Sequence, residues 1–291
     1  MKIALFGREL NDSFYKPICT LLQNLLKNGA RFSVHEKFYP LLSQCVKLED
    51  VKLFGKHEEI DPDTFCFISI GGDGTLLDTV ALIQDSGIPI LGINTGRLGF
   101  LSAVSTSEIE MAAQALISRD YTIDYRSLIM LESPSNLFGS FSCALNELTI
   151  QKRDTASMIA ISAEIDGQYL NTYWADGLIV ATPTGSTGYS LSCGGPIISP
   201  DSQNFVITPI ATHNLTVRPI VIPDTCKITL RPSGRHKEYL VVLDSRVQSL
   251  SDTQDLVISK APFTAKLLYP GKKDFFKTIR NKLAWGLDKR N

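Results

Sequence analysis

Phe65-Cys66-Phe67-Ile68-Ser69-Ile70 runs straight into Gly71-Gly72-Asp73-Gly74-Thr75, and Leu76–Gln84 follows with helical spacing up to the stop at Gly87. An apolar run that empties into a glycine turn and then a helix predicts a strand of a parallel sheet covered on both faces. The flanking sequence repeats the unit. Upstream, Lys2–Phe6 reads as a strand ending at Gly7. Lys16–Lys27 reads as a helix with Leu21, Leu22, Leu25 and Leu26 on one face, stopped by Asn28-Gly29, and Arg31–His35 as a second strand. Phe38–Val46 is ambiguous, with a helical option. Downstream come a strand, Ile88–Ile93, and a helix at about Ser107–Ser118. Apolar strands alternating with helices predict an α/β domain.

Past Ser118 the texture changes. Ser127–Glu132, Ser142–Gln151, Met158–Ile165, Tyr169–Trp174 and Leu178–Ala181 read as strands, with Asp166-Gly167 as a hairpin turn between alternating runs. Val206–Pro209, Lys227–Arg231, Glu238–Leu243, Asp255–Ile258 and Ala265–Leu268 continue the pattern, and Phe275–Trp285 returns to a basic amphipathic helix. The expected organisation is an α/β domain over 1–124, a β-rich domain over 125–272, and a helix within 273–291 that packs back on the first.

Composition narrows the function. Of 291 residues, 44% are hydrophobic, enough for buried cores and too many for a disordered chain. Twenty-nine Lys+Arg against 30 Asp+Glu give a net charge of −1, so nothing in the bulk draws the chain to nucleic acid or an anionic membrane. Phosphate recognition must then be local. Six scattered cysteines form no CxxC pair, the start of the chain lacks the apolar core of a signal peptide, and no apolar run nears the roughly 20 residues of a membrane helix. The expectation is a cytoplasmic protein with reduced thiols.

Three segments offer chemistry. Gly71 to Thr75 sits at the carboxyl end of a strand, where open parallel sheets bind ligands. There Gly71 and Gly72 let a ligand approach the backbone, the helix start favours anionic oxygen, Thr75 is expected as the helix N-cap, and Asp73 can accept a hydroxyl proton or engage a metal. A plain turn is the competing reading. Asn94-Thr95-Gly96-Arg97-Leu98-Gly99-Phe100-Leu101 follows the next strand; a second phosphate-facing loop and a simple strand-to-helix connection are equally compatible with it. The longest is Asp176 to Pro196, dense in Gly, Ser and Thr, with Tyr189 offering a face for a base. Asn146-Glu147, by contrast, lies within an apparent strand, where neighbouring side chains point to opposite faces, and reads as a surface pair. His213 reads as a loop histidine. P-loop, ordered G-x-G-x-x-G and G-x-S-x-G motifs are absent.

Taken in order, GGDGT, NTGRLGFL, Asn146-Glu147 and DGLIVATPTGSTGYSLSCGGP resemble the NAD kinase family over most of the chain. The resemblance implies a Rossmann-like N-terminal domain, a β-sandwich-like C-terminal domain and a site in the crevice between them. It implies phosphorylation of the adenosine-ribose 2′-hydroxyl of NAD to give NADP. Asp73 becomes the proton acceptor and Gly74 a backbone contact. Asn146, Glu147 and Asp176 bind the nucleoside parts, and Thr187, Gly188, Tyr189, Ser190, Leu191 and Ser192 line the dinucleotide pocket. Ala211 and Gln248 sit where relatives touch the dinucleotide, and Trp174 would shape one rim. Gly71, Gly72, Thr75, Asn94, Gly96, Arg97 and Asp244 fall on the phosphate-donor side, although Asp244-Ser245-Arg246 departs from the Asp-Gly-Gln of many relatives. The donor would be ATP or polyphosphate with Mg²⁺, and the assembly a homodimer or homotetramer. A lipid kinase sharing GGDGT and a non-catalytic dinucleotide sensor are the alternatives.

Overall fold

The computed structural model describes residues 1–42, 51–96, 99–102, 104–153, 158–234, 238–250, 254–271 and 274–285. Two compact units divide the chain: Met1–Tyr125 with Lys266–Asn291, and Arg126–Ala265. The return to the first unit comes earlier than the expected residue 273. Asp255–Ile258 and Ala265–Leu268, read as two strands, are parts of one 15-residue strand that contributes to both units.

The first unit contains β1 (Lys2–Gly7), α1 (Asp12–Lys27), β2 (Arg31–His35), α2 (Tyr39–Leu42), β3 (Lys52–Phe54), β4 (Cys66–Gly71), α3 (Asp73–Ile83), β5 (Ile90–Asn94) and α4 (Ile109–Ser118). Its strands run parallel in the order β5-β4-β1-β2-β3. All six residues of β4 and all five of β5 are buried, as strands covered on both faces require. The leucines of α1 pack with Ile3, Leu5, Ile68 and Ile93 and with the buried face of α4. The helix begins at Asp12, ahead of the expected Lys16, and contains Pro17 at its sixth position, where the missing N–H forgoes a bond to the Ser13 carbonyl.

The second unit contains β6 (Tyr121–Ser133, which begins in the first unit), β7 (Cys143–Ala144), β8 (Glu147–Lys152), β9 (Ile159–Ile165), β10 (Gln168–Ala175), β11 (Gly177–Ala181), α5 (Tyr189–Ser192), β12 (Asn204–Ile210), β13 (Ile220–Pro223), β14 (Ile228–Ser233), β15 (Tyr239–Leu243), β16 (Arg246–Leu250) and β17 (Leu256–Pro270). One antiparallel sheet runs β13-β12-β11-β8-β15-β16; the other includes β10-β9-β14-β17. Ile150, Val180 and Val241 from the first meet Ile161, Leu230 and Ile258 from the second in one core, the pattern of a sandwich. Strands β3, β13 and β16 were not expected. They are short or exposed, so their sequences carry little alternation.

The last strand re-enters the first unit, where Leu267 pairs with Ile90 in parallel. It is followed by α6 (Phe275–Leu283), N-capped by Asp274, whose carboxylate accepts the Lys277 N–H at 2.8 Å. Cys66, Cys143, Cys193 and Cys226 are free thiols, but Cys19 is disulfide-bonded, which corrects the expectation of wholly reduced cysteines.

Candidate active site

Three parallel strands of the first unit end in one row. Gly7 is in register with Ile70, and Gly71 with Asn94, so the residues after β1, the turn after β4 and the loop after β5 are neighbours along the carboxyl edge. Gly71 is obligatory. Its φ is +154°, and a Cβ there would lie 2.3 Å from the Thr75 hydroxyl oxygen. The N-cap of α3 is Gly72, not Thr75; Thr75 is already inside the first turn and buried, its carbonyl accepting the Thr79 hydroxyl at 2.9 Å.

Asp73 opens α3, and its carboxylate is tied to the loop after β5. It accepts the backbone N–H groups of Phe100 at 2.7 Å and of Leu101 and Ser102 at 3.2 Å. Gly99 makes this approach feasible, since a Cβ there would fall 1.9–2.2 Å from the Asp73 carboxyl atoms. The two loops that the sequence offers separately are thus one structure. Asn94 is buried and its side-chain oxygen accepts the Gly96 N–H at 2.7 Å, shaping the same loop. Arg97, expected at the donor side, lies outside the described residues.

Lys282 of α6, not singled out in the sequence, shares the field of Asp73. Burial pushes its ammonium below the usual lysine range, and the Asp73 charge opposes that shift. The tail helix was legible as amphipathic. Which surface its half-buried Lys282 faces was not, because Ile279, three residues back and buried, docks only in the folded unit.

In the second unit, Asn146 and Glu147 are not in mid-strand. The expected strand Ser142–Gln151 is broken into β7 and β8, and the gap at Leu145-Asn146 lets both side chains turn inward. Asp244, which has positive φ at +53°, makes the break possible. Its carboxylate accepts the N–H groups of Leu145 and Asn146 at 2.8 Å and of Glu147 at 3.3 Å. Thr182 satisfies the other side of the chain, its hydroxyl donating to the Leu145 carbonyl at 2.6 Å and its N–H to the Asn146 carbonyl at 2.9 Å. Burial, with the Asp244 charge adding to it, pushes the Glu147 carboxyl up to about 8; burial raises Asp244 to about 6 against the pull of the three N–H groups and Arg246. One oxygen of Glu147 and the side-chain oxygen of Asn146 are buried without a hydrogen-bond partner, a cost that a polar ligand would relieve.

The glycine-rich segment wraps this pair. A Cβ on Gly185 would lie 2.1 Å from the Asn146 carbonyl oxygen, and one on Gly188 would lie 3.2 Å from Glu147 Oε2. Thr187 belongs to a single 3₁₀ turn, and Tyr189, Ser190, Leu191 and Ser192 form α5. Ser190 is buried against Thr208, their hydroxyls 2.8 Å apart, whereas Tyr189 is exposed with its phenol raised by burial, Cys193 and Asp176. Asp176 pairs with Lys152 at 2.7 Å. Trp174 is exposed on β10, its carbonyl accepting the His213 N–H, while Ala211 adopts positive φ and Gln248 is exposed on β16. Asp244, expected at the donor side, is hydrogen-bonded to the Asn146-Glu147 backbone.

Residues 23–121 match the family model described as the ATP-NAD kinase N-terminal domain, and residues 145–269 the ATP-NAD kinase C-terminal domain. The chain is 46% identical to an NAD kinase of Flavobacterium psychrophilum and 44% identical to one of Bacteroides fragilis, in each case over the full length of both proteins. Among solved structures it resembles yeast NADH kinase complexed with NADH, with a TM-score of 0.87 at 22% identity, covering 99% of this chain and 89% of the other. It also resembles an NAD kinase from Archaeoglobus fulgidus in complex with ATP, with a TM-score of 0.75 at 24% identity, covering 98% and 99%. At those identities the likeness speaks for the fold.

Proposed function

The chain belongs to the NAD kinase family and phosphorylates NAD, and from that premise we propose that Asp73 is the proton acceptor for the 2′-hydroxyl of the adenosine ribose, the product being NADP. The supporting observation is the Asp73 carboxylate held by three backbone N–H groups at the start of α3. A loose phosphoryl-transfer transition state asks more for positioning and charge neutralisation than for a strong base. A carboxylate fixed in direction suits that demand, aligning the hydroxyl and taking its proton late in the transfer.

Asn146, Glu147 and Asp176 recognise the nucleoside parts, with Tyr189 packing on the dinucleotide. The buried unpartnered oxygens of Asn146 and Glu147 support this assignment, because ribose hydroxyls and an adenine amine are donors of the kind they lack. The glycine turn and the α3 start take the phosphates of the donor, ATP or polyphosphate. Among the described residues no three acidic, His or Cys side chains are grouped so as to hold a metal ion. Mg²⁺ would arrive on the donor phosphates, with Asp73 as a carboxylate able to engage it. Bound there, Mg²⁺ would neutralise phosphate charge.

No described helix is long and apolar enough to cross a membrane, and we place the enzyme in the cytoplasm as a homodimer or homotetramer. A lipid kinase does not account for the second-unit match at residues 145–269, and a pure sensor needs no carboxylate at position 73. The test is NADP formation by the purified chain with Mg²⁺, across ATP, other nucleoside triphosphates and polyphosphate, and across NAD and NADH. NADP from NAD with at least one donor is the expected result. Binding of NAD without turnover under every condition would overturn the assignment.

A further inference from the structure

A near-neutral chain still has to hold a polyanionic donor, and the glycine turn supplies only backbone dipoles. The structure places one cation on the same edge without any motif announcing it. Arg8 follows Gly7, the last residue of β1, and Gly7 is in register with Ile70. Arg8 therefore stands beside Gly71, at the head of the Gly71-Gly72-Asp73 turn. Gly7 is needed for this close passage, because a Cβ there would meet the Phe38 ring at 2.5 Å and the Ile70 carbonyl at 2.8 Å. The guanidinium is anchored through Nη2 to Asp78, on the same helix that Asp73 opens. Asp78 is mostly covered, with 21% of its side chain exposed, while Arg8 keeps 56%.

An ion pair with one partner in solvent contributes only modestly to stability. Its geometry serves something else. One carboxylate occupies part of a five-donor fork, and the remainder can receive a second oxyanion. Asp78 fixes the direction of the side chain, so less of its freedom is lost on binding.

We propose that Arg8, oriented by Asp78, binds the phosphate chain of the phosphoryl donor, an assignment that rests on the kinase reading above. It supplies on one side chain the positive charge that the overall composition withholds.

The experiment is steady-state kinetics with NAD and ATP on wild type, Arg8→Ala, Arg8→Lys and Asp78→Asn, each checked for an unchanged melting profile. Arg8→Ala is expected to raise the donor KM about ten-fold or more, the scale of a lost charge-assisted hydrogen bond, with the NAD KM within two-fold of wild type. Arg8→Lys should recover part of the loss, and Asp78→Asn should cost less than Arg8→Ala. A purely structural ion pair predicts instead equal effects of Arg8→Ala and Asp78→Asn, and that result would overturn the proposal. So would a donor KM unmoved in Arg8→Ala, or a change confined to the NAD KM. If wild type itself forms no NADP, the kinase reading fails, whereas active wild type with an unaffected Arg8→Ala sinks only the role of Arg8.

Discussion

Asp244 Oδ1 accepts the backbone N–H of Asn146 at 2.8 Å, across 98 residues of chain. That single carboxylate, by also taking the N–H groups of Leu145 and Glu147, interrupts what would otherwise be one strand and turns two polar side chains toward the interior.

Asp244→Asn should therefore damage NAD recognition without touching the donor. The amide keeps one oxygen and turns an NH₂ toward three N–H donors, losing charge-assisted bonds worth about 1.5–3 kcal/mol. The expectation is a roughly 10–100-fold fall in kcat/KM for NAD with the ATP KM near wild type. Kinetics with each substrate varied in turn decides this, and a matching rise in both KM values would point to general loosening of the fold.

Glu147 makes stability depend on pH. Its carboxyl is raised from 4.5 to about 8 in the folded protein, so between those values the folded state holds a proton that the unfolded state has released. Stability conferred by the protonated form is complete at low pH and is lost as pH rises from about 4.5 through 8. Asp244, raised from 3.8 to about 6, acts with the same sign over its lower window. Glu147→Gln removes the larger effect. Urea melts at pH 5, 7 and 9 should show the variant gaining on wild type as pH rises, by on the order of a few kcal/mol at the upper end. Parallel pH profiles would mean that Glu147 is ionised throughout.

Asp73→Asn should fold, losing about 1 kcal/mol through weakened bonds to Phe100, Leu101 and Ser102. Its turnover should drop by roughly 10²–10⁴-fold, the scale of a lost general base. A variant that keeps near-normal kcat removes Asp73 from the chemistry.

Gly99→Ala tests the same carboxylate from the other side. The new methyl would overlap the Asp73 carboxyl group and drive it off its three backbone N–H donors, so the cost should fall on catalysis as well as on folding. Displacement of about 1 Å predicts a loss of roughly 10²-fold in kcat, measured alongside a thermal melt. A large drop in melting temperature with kcat preserved in the folded fraction would contradict it.

Much of the fold was legible because its signals are local. The apolar run ending at Ile70, the glycine turn and the α3 pattern stand within twenty residues, and Arg31–His35 and the Asp166-Gly167 hairpin were read where the structure has them. What failed was local too, but overruled from a distance. Ser142–Gln151 alternates well enough to read as one strand, and only Asp244 breaks it; Thr75 has the chemistry of an N-cap, yet Gly72 occupies that place.

The two textures, the order of the motifs and the family can be read from the chain alone, because periodicity and glycine spacing are properties of neighbours along it. The tertiary structure alone decided that Asp73 is held by the loop after β5, that Asn146 and Glu147 face inward, and that Arg8 and Lys282 stand near the glycine turn. Each of these joins residues separated by tens to hundreds of positions. Burial and the orientation of a carboxylate are set by those distant partners, which no local pattern encodes.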